Sequence, residues 1–203
     1  VVVGIAGYHY FRMWSGWAEG TVNEGYRYAD WLITVPLLVI ELLIVLGVTS
    51  DRRKKLMTTL VPATVLMIGL GYPGETSTSD GTKWTFWILS MLPFLYILYV
   101  LFVELGKSLE RQSGGVKKLV DALRYIILAT WGIYPIAYML PSLIDDDANA
   151  EVARQVMYSI GDVLAKPLFG ILVLGIALAK SREDGYIEPG TTPSATSDDG
   201  ELA

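Results

Sequence analysis

Apolar residues in this chain come in long blocks rather than at the spacing of a surface strand or an amphipathic helix. Five blocks, at 26–48, 55–73, 84–106, 118–143 and 152–180, are long enough, or nearly so, to cross as helices the bilayer's hydrocarbon layer of about 30 Å. Residues 1–14, an apolar run opening on Val1 with no signal peptide or start methionine, read as the second part of a sixth helix whose beginning lies outside this sequence. A soluble core helix explains one such block but not five in succession. The pattern therefore predicts an all-α, multi-pass membrane bundle over residues 1–181. Pro36, Pro62, Pro93, Pro135 and Pro167 fall inside the blocks, where packed neighbours can re-satisfy the backbone. From residue 182 the composition turns to Pro, Gly, Ser, Thr and Asp, which predicts a disordered polar tail over 182–203.

Composition agrees with burial in lipid. The chain is 52% hydrophobic and only 18% charged, with a mean hydropathy of +0.42, whereas soluble domains average about 25% charged. With no cysteine and one histidine, disulfide frameworks and Cys- or His-cluster metal sites are excluded. No basic patch is interleaved with aromatics, so nucleic acid is not an expected partner; the lipid bilayer is. The segment TSDRRKK at 49–55 and the segment 107–118, with Lys107, Arg111, Lys117 and Lys118, alternate with acidic connections. Those are 15–25 (Glu19, Glu24), 74–83 (Glu75, Asp80, Lys83) and 144–151 (Asp145, Asp146, Asp147, Glu151). Positive residues stay inside, so 49–55, 107–118 and the C-terminus are expected in the cytoplasm. Helix 26–48 then runs from outside to inside. The expected location is a plasma membrane, or an endomembrane in a eukaryotic cell.

Ionisable groups inside a bilayer are expensive and are functional candidates by default. Asp30 lies one turn into its block, and Glu41 eleven residues further on, about 16 Å along the axis. Asp162 and Lys166 are four apart on the last block and share a helix face. The plain reading of that pair is a buried ion pair that fixes packing. Glu41 could face a crevice, and Arg27 and Arg124 could extend to the interface. The aromatic surroundings favour more. Trp31, Met67, Trp87, Trp131, Tyr134, Pro135 and Tyr138 fall at mid-depth, although most membrane aromatics sit at interfaces. Around a central lysine they suggest a cavity for a flat apolar ligand. An amine there can condense with an aldehyde to a Schiff base.

These residues resemble a known family, the microbial rhodopsins, of the proteorhodopsin and xanthorhodopsin kind. Arg27-Tyr-Ala-Asp30-Trp31-Leu-Ile-Thr34-Val-Pro-Leu-Leu38 is similar to that family's third helix, and Tyr96–Phe102 to its fifth. Trp131-Gly-Ile-Tyr134-Pro135-Ile-Ala-Tyr138 is similar to the sixth, and Asp162-Val-Leu-Ala-Lys166 to the seventh. The resemblance covers residues 1 to about 180 and implies a seven-helix rhodopsin bundle, of which five complete helices and part of a sixth are present. It implies all-trans retinal bound to Lys166, with Asp30 as counterion and proton acceptor, Asp162 as second counterion and Arg27 below them. Asp30, Thr34 and Glu41 match the Asp-Thr-Glu set of proton pumps. His9 resembles the histidine that pairs with the acceptor; alone it would read as structural. The resemblance places Trp31, Thr34, Leu38, Met67, Gly71, Trp87, Ser90, Trp131, Tyr134, Pro135 and Tyr138 on the retinal pocket wall, with leucine at Leu38 implying green absorption. The xanthorhodopsin branch admits a carotenoid antenna beside a fifth-helix glycine; Trp87 stands there, so no antenna is expected. Arg154 stands where the archaeal pump has a release glutamate, which leaves the release route open.

The expected function is a light-driven outward proton pump, a transporter and not an enzyme, with protons as cargo and a homo-oligomer as the expected assembly. Asp30 takes the Schiff-base proton. Glu41, in an apolar stretch, keeps its own proton until it resupplies the Schiff base. His9 tunes Asp30 as a coupled pair. Two other readings stay open at this point: a sensory rhodopsin, against which the Glu41 donor argues, and a retinal-free secondary transporter, for which paired internal repeats would be expected.

Overall fold

Inside lipid the backbone has only itself to bond to, so each apolar block must close its hydrogen bonds locally as a helix. The computed structural model describes residues 1–21, 23–112, 114–144, 147–183 and 185. Its elements are α1 (Val2–Ala18), α2 (Gly25–Val45), α3 (Ser50–Glu75), α4 (Asp80–Arg111), α5 (Gly114–Trp131), α6 (Ile133–Leu143), α7 (Asp147–Val163), a π-helical turn (Leu164–Leu168) and α8 (Phe169–Glu183). Among the described residues there is no strand. Five stretches are long and apolar enough to span: α2, α3, α4, α5 with α6, and α7 through α8. The helices overrun the apolar blocks because charged residues at a helix end can stay helical in water beyond the hydrocarbon. Thus Asp51 to Lys55 open α3, and α8 continues to Glu183, two residues into the expected tail. Asp145 and Asp146, and the tail at 184 and 186–203, lie outside the described residues.

Two of the expected helices are interrupted, in each case beside a proline. Pro135 has no N–H to return to the carbonyl of Trp131, and the helix breaks at Gly132 into α5 and α6. Pro167 lies in the π-helical turn. The wider turn accommodates the missing donor, as such bulges do at functional sites. At the end of α2, Gly47 takes φ of +65°, the left-handed cap that glycine allows, and Lys180 of α8 donates to the carbonyl of Val45 at 2.8 Å.

Consecutive helices pack side by side from α1 to α5, and the last span closes the bundle against α1, α2 and α5. The core runs down the middle: Leu42 and Leu43 of α2 with Leu46 just past its end, Leu60 of α3, Ile97, Leu101 and Leu105 of α4, Leu123 of α5 and Ile176 of α8 are all essentially without exposure. The outward face is apolar too. Ile88, Leu92, Leu95 and Tyr99 form an exposed stripe along α4, the surface a lipid-facing helix presents. Most of the basic residues gather where α2 ends, α3 starts, α4 ends, α5 starts and α8 ends, whereas the other end of the bundle carries Glu24, Glu75, Asp80 and Glu151 together with Arg27, Lys83 and Arg154.

Candidate functional site

The π-helical turn places Lys166 in the middle of the bundle at 2% exposure. Its Nζ donates to Asp30 Oδ2 of α2 and lies 2.9 Å from Asp162 Oδ2, one helical turn back. Both carboxylates are buried, Asp30 completely. A charged amine there requires such partners, because removing charge from water is affordable only when it is paired.

The two carboxylates differ in what else holds them. Asp162 accepts from Tyr134 at 2.6 Å, from Tyr10 at 2.8 Å and from the Trp31 indole at 3.0 Å. Asp30 Oδ1 has no hydrogen-bond partner among the described residues, and neither has Nδ1 of His9. Among the described residues no hydrogen bond joins His9 to Asp30. Arg27 is buried below, donating to Tyr10 at 3.1 Å and to Gln155. Thr34 is buried, and its hydroxyl donates to the Asp30 carbonyl at 2.9 Å rather than bounding the cavity. Glu41 lies further along α2, only partly buried.

Beside Lys166 lies a cavity that is partly open to its surroundings. Of the wall residues expected from the sequence, Trp31, Leu38, Met67, Gly71, Trp87, Ser90, Trp131, Tyr134, Pro135 and Tyr138 all line it. Tyr28, Val35, Ile68, Met91, Phe94, Tyr158 and Ala165 line it too. The Trp87 indole donates to the Pro135 carbonyl at 3.0 Å, joining α4 to α6. Tyr138 donates to the Gly71 carbonyl at 3.1 Å. Gly74 permits this approach: a Cβ there would collide with the Tyr138 hydroxyl and stand 2.7 Å from Phe86 Cβ. A mostly apolar, aromatic slot with an amine and two carboxylates at its side fits retinal by its chemistry: flat rings for a polyene, an amine for an aldehyde, and anions for the cation that results.

Sequence reasoning did not single out the outer half of the site. Nothing in the spacing of Tyr10, Tyr28, Gln155 and Tyr158 marks them, and Glu75 falls in the acidic connection 74–83. In the fold Glu75 is the last residue of α3 and is buried, accepting from Tyr28 and Tyr158. Its position beside Gly74 and a run of Thr and Ser hid it; no sequence spacing pairs it with Arg154, which stands 3.5 Å away.

A model of the family described as bacteriorhodopsin-like protein matches residues 1–180. A green-light absorbing proteorhodopsin from Gamma-proteobacterium EBAC31A08 is 32% identical over 183 residues, 89% of this chain and 72% of that protein. The crystal structure of a thermophilic rhodopsin superposes with a TM-score of 0.84 at 46% identity, covering 91% of this chain and 80% of the other. That of xanthorhodopsin, a light-driven ion pump with dual chromophore, gives the same score and identity over 92% and 80%. With the match extending over nearly the whole helical part, the chain belongs to the bacteriorhodopsin-like family of microbial rhodopsins.

Proposed function

We propose that this rhodopsin is a light-driven pump that moves protons outward, with retinal held as a protonated Schiff base on Lys166, Asp30 as acceptor and Glu41 as donor. The observation that carries the reading is the buried Lys166 on the cavity wall, paired with two buried carboxylates that differ in their other partners. Bound retinal supplies light absorption and an isomerisation that redirects the Lys166 nitrogen and changes its hold on its proton. The chain's own groups do the rest. Asp162, fixed by three side-chain donors, keeps its charge and orients the Lys166 nitrogen. Asp30, with one carboxylate oxygen unshared, accepts the proton. His9 and Arg27 set the charge around it, and Thr34 steadies the backbone of Asp30.

Glu41 lies on the other side of Lys166, toward the end of the bundle rich in Lys and Arg. The distribution of those residues supports a cytoplasmic position for that end and for the C-terminus. Donor inside and acceptor outside make the transport outward. A filled wall at Trp87 supports a single chromophore: adding carotenoid is expected to contribute nothing to the action spectrum of pumping. The rhodopsin bundle extends over residues 1–181 in this reading, with a cytoplasmic tail beyond it and a homo-oligomeric assembly in the membrane.

The test is illumination of cells making the full-length protein with retinal, recording external pH. Sustained acidification that a protonophore abolishes is expected. A light response without net proton movement would favour a sensor. Glu41→Gln is expected to slow recovery of the protonated Lys166 nitrogen by about 10²-fold, the low end for a positioned proton-transfer group. Flash absorption spectroscopy measures this directly, and an unchanged recovery would remove Glu41 from the donor role.

A further inference from the structure

Two arginines inside the bundle are held by acceptors, and a third is not. Arg27 donates to Tyr10 and Gln155, and Arg154 Nη2 lies 2.7 Å from Glu151. Arg124 of α5 has no such hold. Its side chain is only 19% exposed, yet among the described residues the one carboxylate within 4 Å is Asp121, which stands 3.7 Å away and is itself half exposed. Its Nε is buried with no hydrogen-bond partner among the described residues. A guanidinium carries five N–H donors in a flat fork, and a cation taken out of water without acceptors is costly.

By its place in the sequence Arg124 could reach out to the interface. In the fold it lies across the groove between α5 and α4. Its guanidinium carbon stands 4.0 Å from the centroid of the Phe102 ring, a cation held over an aromatic face. A Cβ at Gly106 would lie 3.6 Å from its Nη2, so a large side chain there would crowd the fork. Phe102 and Gly106 are four apart and share one face of α4. Lys107, next to Gly106, and Lys117, seven residues before Arg124 on the same face of α5, belong to the basic end of the bundle. Helical side chains lean toward the helix N-terminus, so Arg124 points back toward that end and its fork sits about one turn inside those lysines. Deeper in the bundle, the groove is flanked by exposed apolar residues, Leu95 and Tyr99 of α4 and Leu128 of α5. On the watery side the exposed Glu110 lies one turn beyond Gly106; it and Asp121 are accessible enough for water and salt to screen them.

We propose that Arg124, Phe102 and Gly106 form a site for the phosphodiester of an anionic phospholipid in the leaflet at the basic end, with the acyl chains lying along Leu95, Tyr99 and Leu128. The occupant follows from charge and depth. A phosphodiester offers two anionic oxygens to the parallel N–H groups of the fork, the acceptors that no described residue provides. A headgroup without a cation of its own leaves the pair neutral, whereas a choline brings back the charge that has to be cancelled. A free phosphate meets the same fork, but it leaves the apolar flanks bare and has to give up its water at the edge of the hydrocarbon. The lipid thus ties α5 to α4 from outside the bundle. None of these residues takes part in the proton path proposed above.

The test is a lipid titration of the full-length protein with retinal in mild detergent. Dioleoylphosphatidylglycerol or dioleoylphosphatidylcholine is added, and bound lipids are counted by native mass spectrometry. The wild type should retain one phosphatidylglycerol about 10-fold more tightly than phosphatidylcholine, the worth of a hydrogen bond to a charged group. Arg124→Gln should lose that preference, and Lys118→Gln, at an exposed position of the same helix, should keep it. Inorganic phosphate at millimolar concentration should displace nothing. If circular dichroism shows that Arg124→Gln does not fold, Gly106→Leu is read instead. It keeps the charge but fills the space beside Nη2, and it should lower phosphatidylglycerol retention by a similar factor. Equal retention of the two lipids by the wild type, or an undiminished preference in the folded variant, overturns the site. Displacement by inorganic phosphate assigns the fork to a free anion and overturns the lipid.

Discussion

Replacing Lys166 with alanine in the full-length protein is expected to abolish the visible retinal band completely. Among the described residues Lys166 is the one buried lysine; Lys54, Lys55, Lys107, Lys117, Lys118 and Lys180 lie at the basic end of the bundle, and Lys83 lies beside Asp80 at the other end. No other amine lines the cavity. The variant also strands Asp30 and Asp162, two buried carboxylates that lose their shared cation. Breaking a buried pair from one side costs roughly 3–5 kcal/mol, so a lower melting temperature is expected too. Lost colour could then reflect unfolding, and Lys166→Arg separates the causes. It keeps a charge near both carboxylates but has no amine that condenses with an aldehyde, so it should be colourless while melting closer to the wild type. Borohydride reduction of the illuminated wild type, followed by peptide mass analysis, should place the adduct on Lys166 alone. A surviving band in Lys166→Ala, or an adduct on another lysine, would contradict the attachment site.

What could be read in advance divides along physical lines. Lys166 and Asp162 were legible because a helix makes residues four apart neighbours, and aromatic residues at mid-depth around the pair favoured more than a packing role. The apolar blocks located five spans because lipid permits little else. Asp30 and Leu38 needed the family resemblance to acquire roles, since a carboxylate one turn into a helix looks equally like an interfacial residue. The interruption at Gly132 was visible only as a glycine and a proline three residues on; periodicity ran straight through it. The same holds for the π-helical turn at Lys166, whose extra width changes which way the lysine points without altering the pattern of apolar residues. Glu75 was not legible at all. Its burial depends on Tyr28 from one helix and on Tyr158 and Arg154 from another, and long-range polar clusters leave no spacing along the chain. Arg154 was noticed as a departure, but its partners Glu24, Glu75 and Glu151 appeared only when three helix ends came together.

Asp30→Asn is expected to reduce light-driven proton transport to background, a fall of at least about 10²-fold, while retinal still binds. Asparagine keeps the size of aspartate but cannot accept a proton. Asp30 is completely buried and touches the Lys166 nitrogen, so no water can replace it there at low cost. Asp162 is not expected to substitute, because Tyr10, Trp31 and Tyr134 already donate to its two oxygens. The colour should change in the same variant. Light moves positive charge along the polyene away from the nitrogen, and an anion beside the nitrogen opposes that shift; removing it lowers the excitation energy, so the band should move to longer wavelength. Asp162→Asn makes the useful contrast. Asparagine keeps one accepting oxygen and no charge, so either the Tyr134 and Trp31 donors or the Tyr10 and Lys166 donors would face an amide N–H instead; poorer folding and retinal uptake are expected rather than a clean loss of transport. Initial rates of pH change in vesicles, normalised to bound retinal, decide the matter. Wild-type transport in Asp30→Asn, alongside its loss in a well-folded Asp162→Asn, would exchange the roles of the two carboxylates.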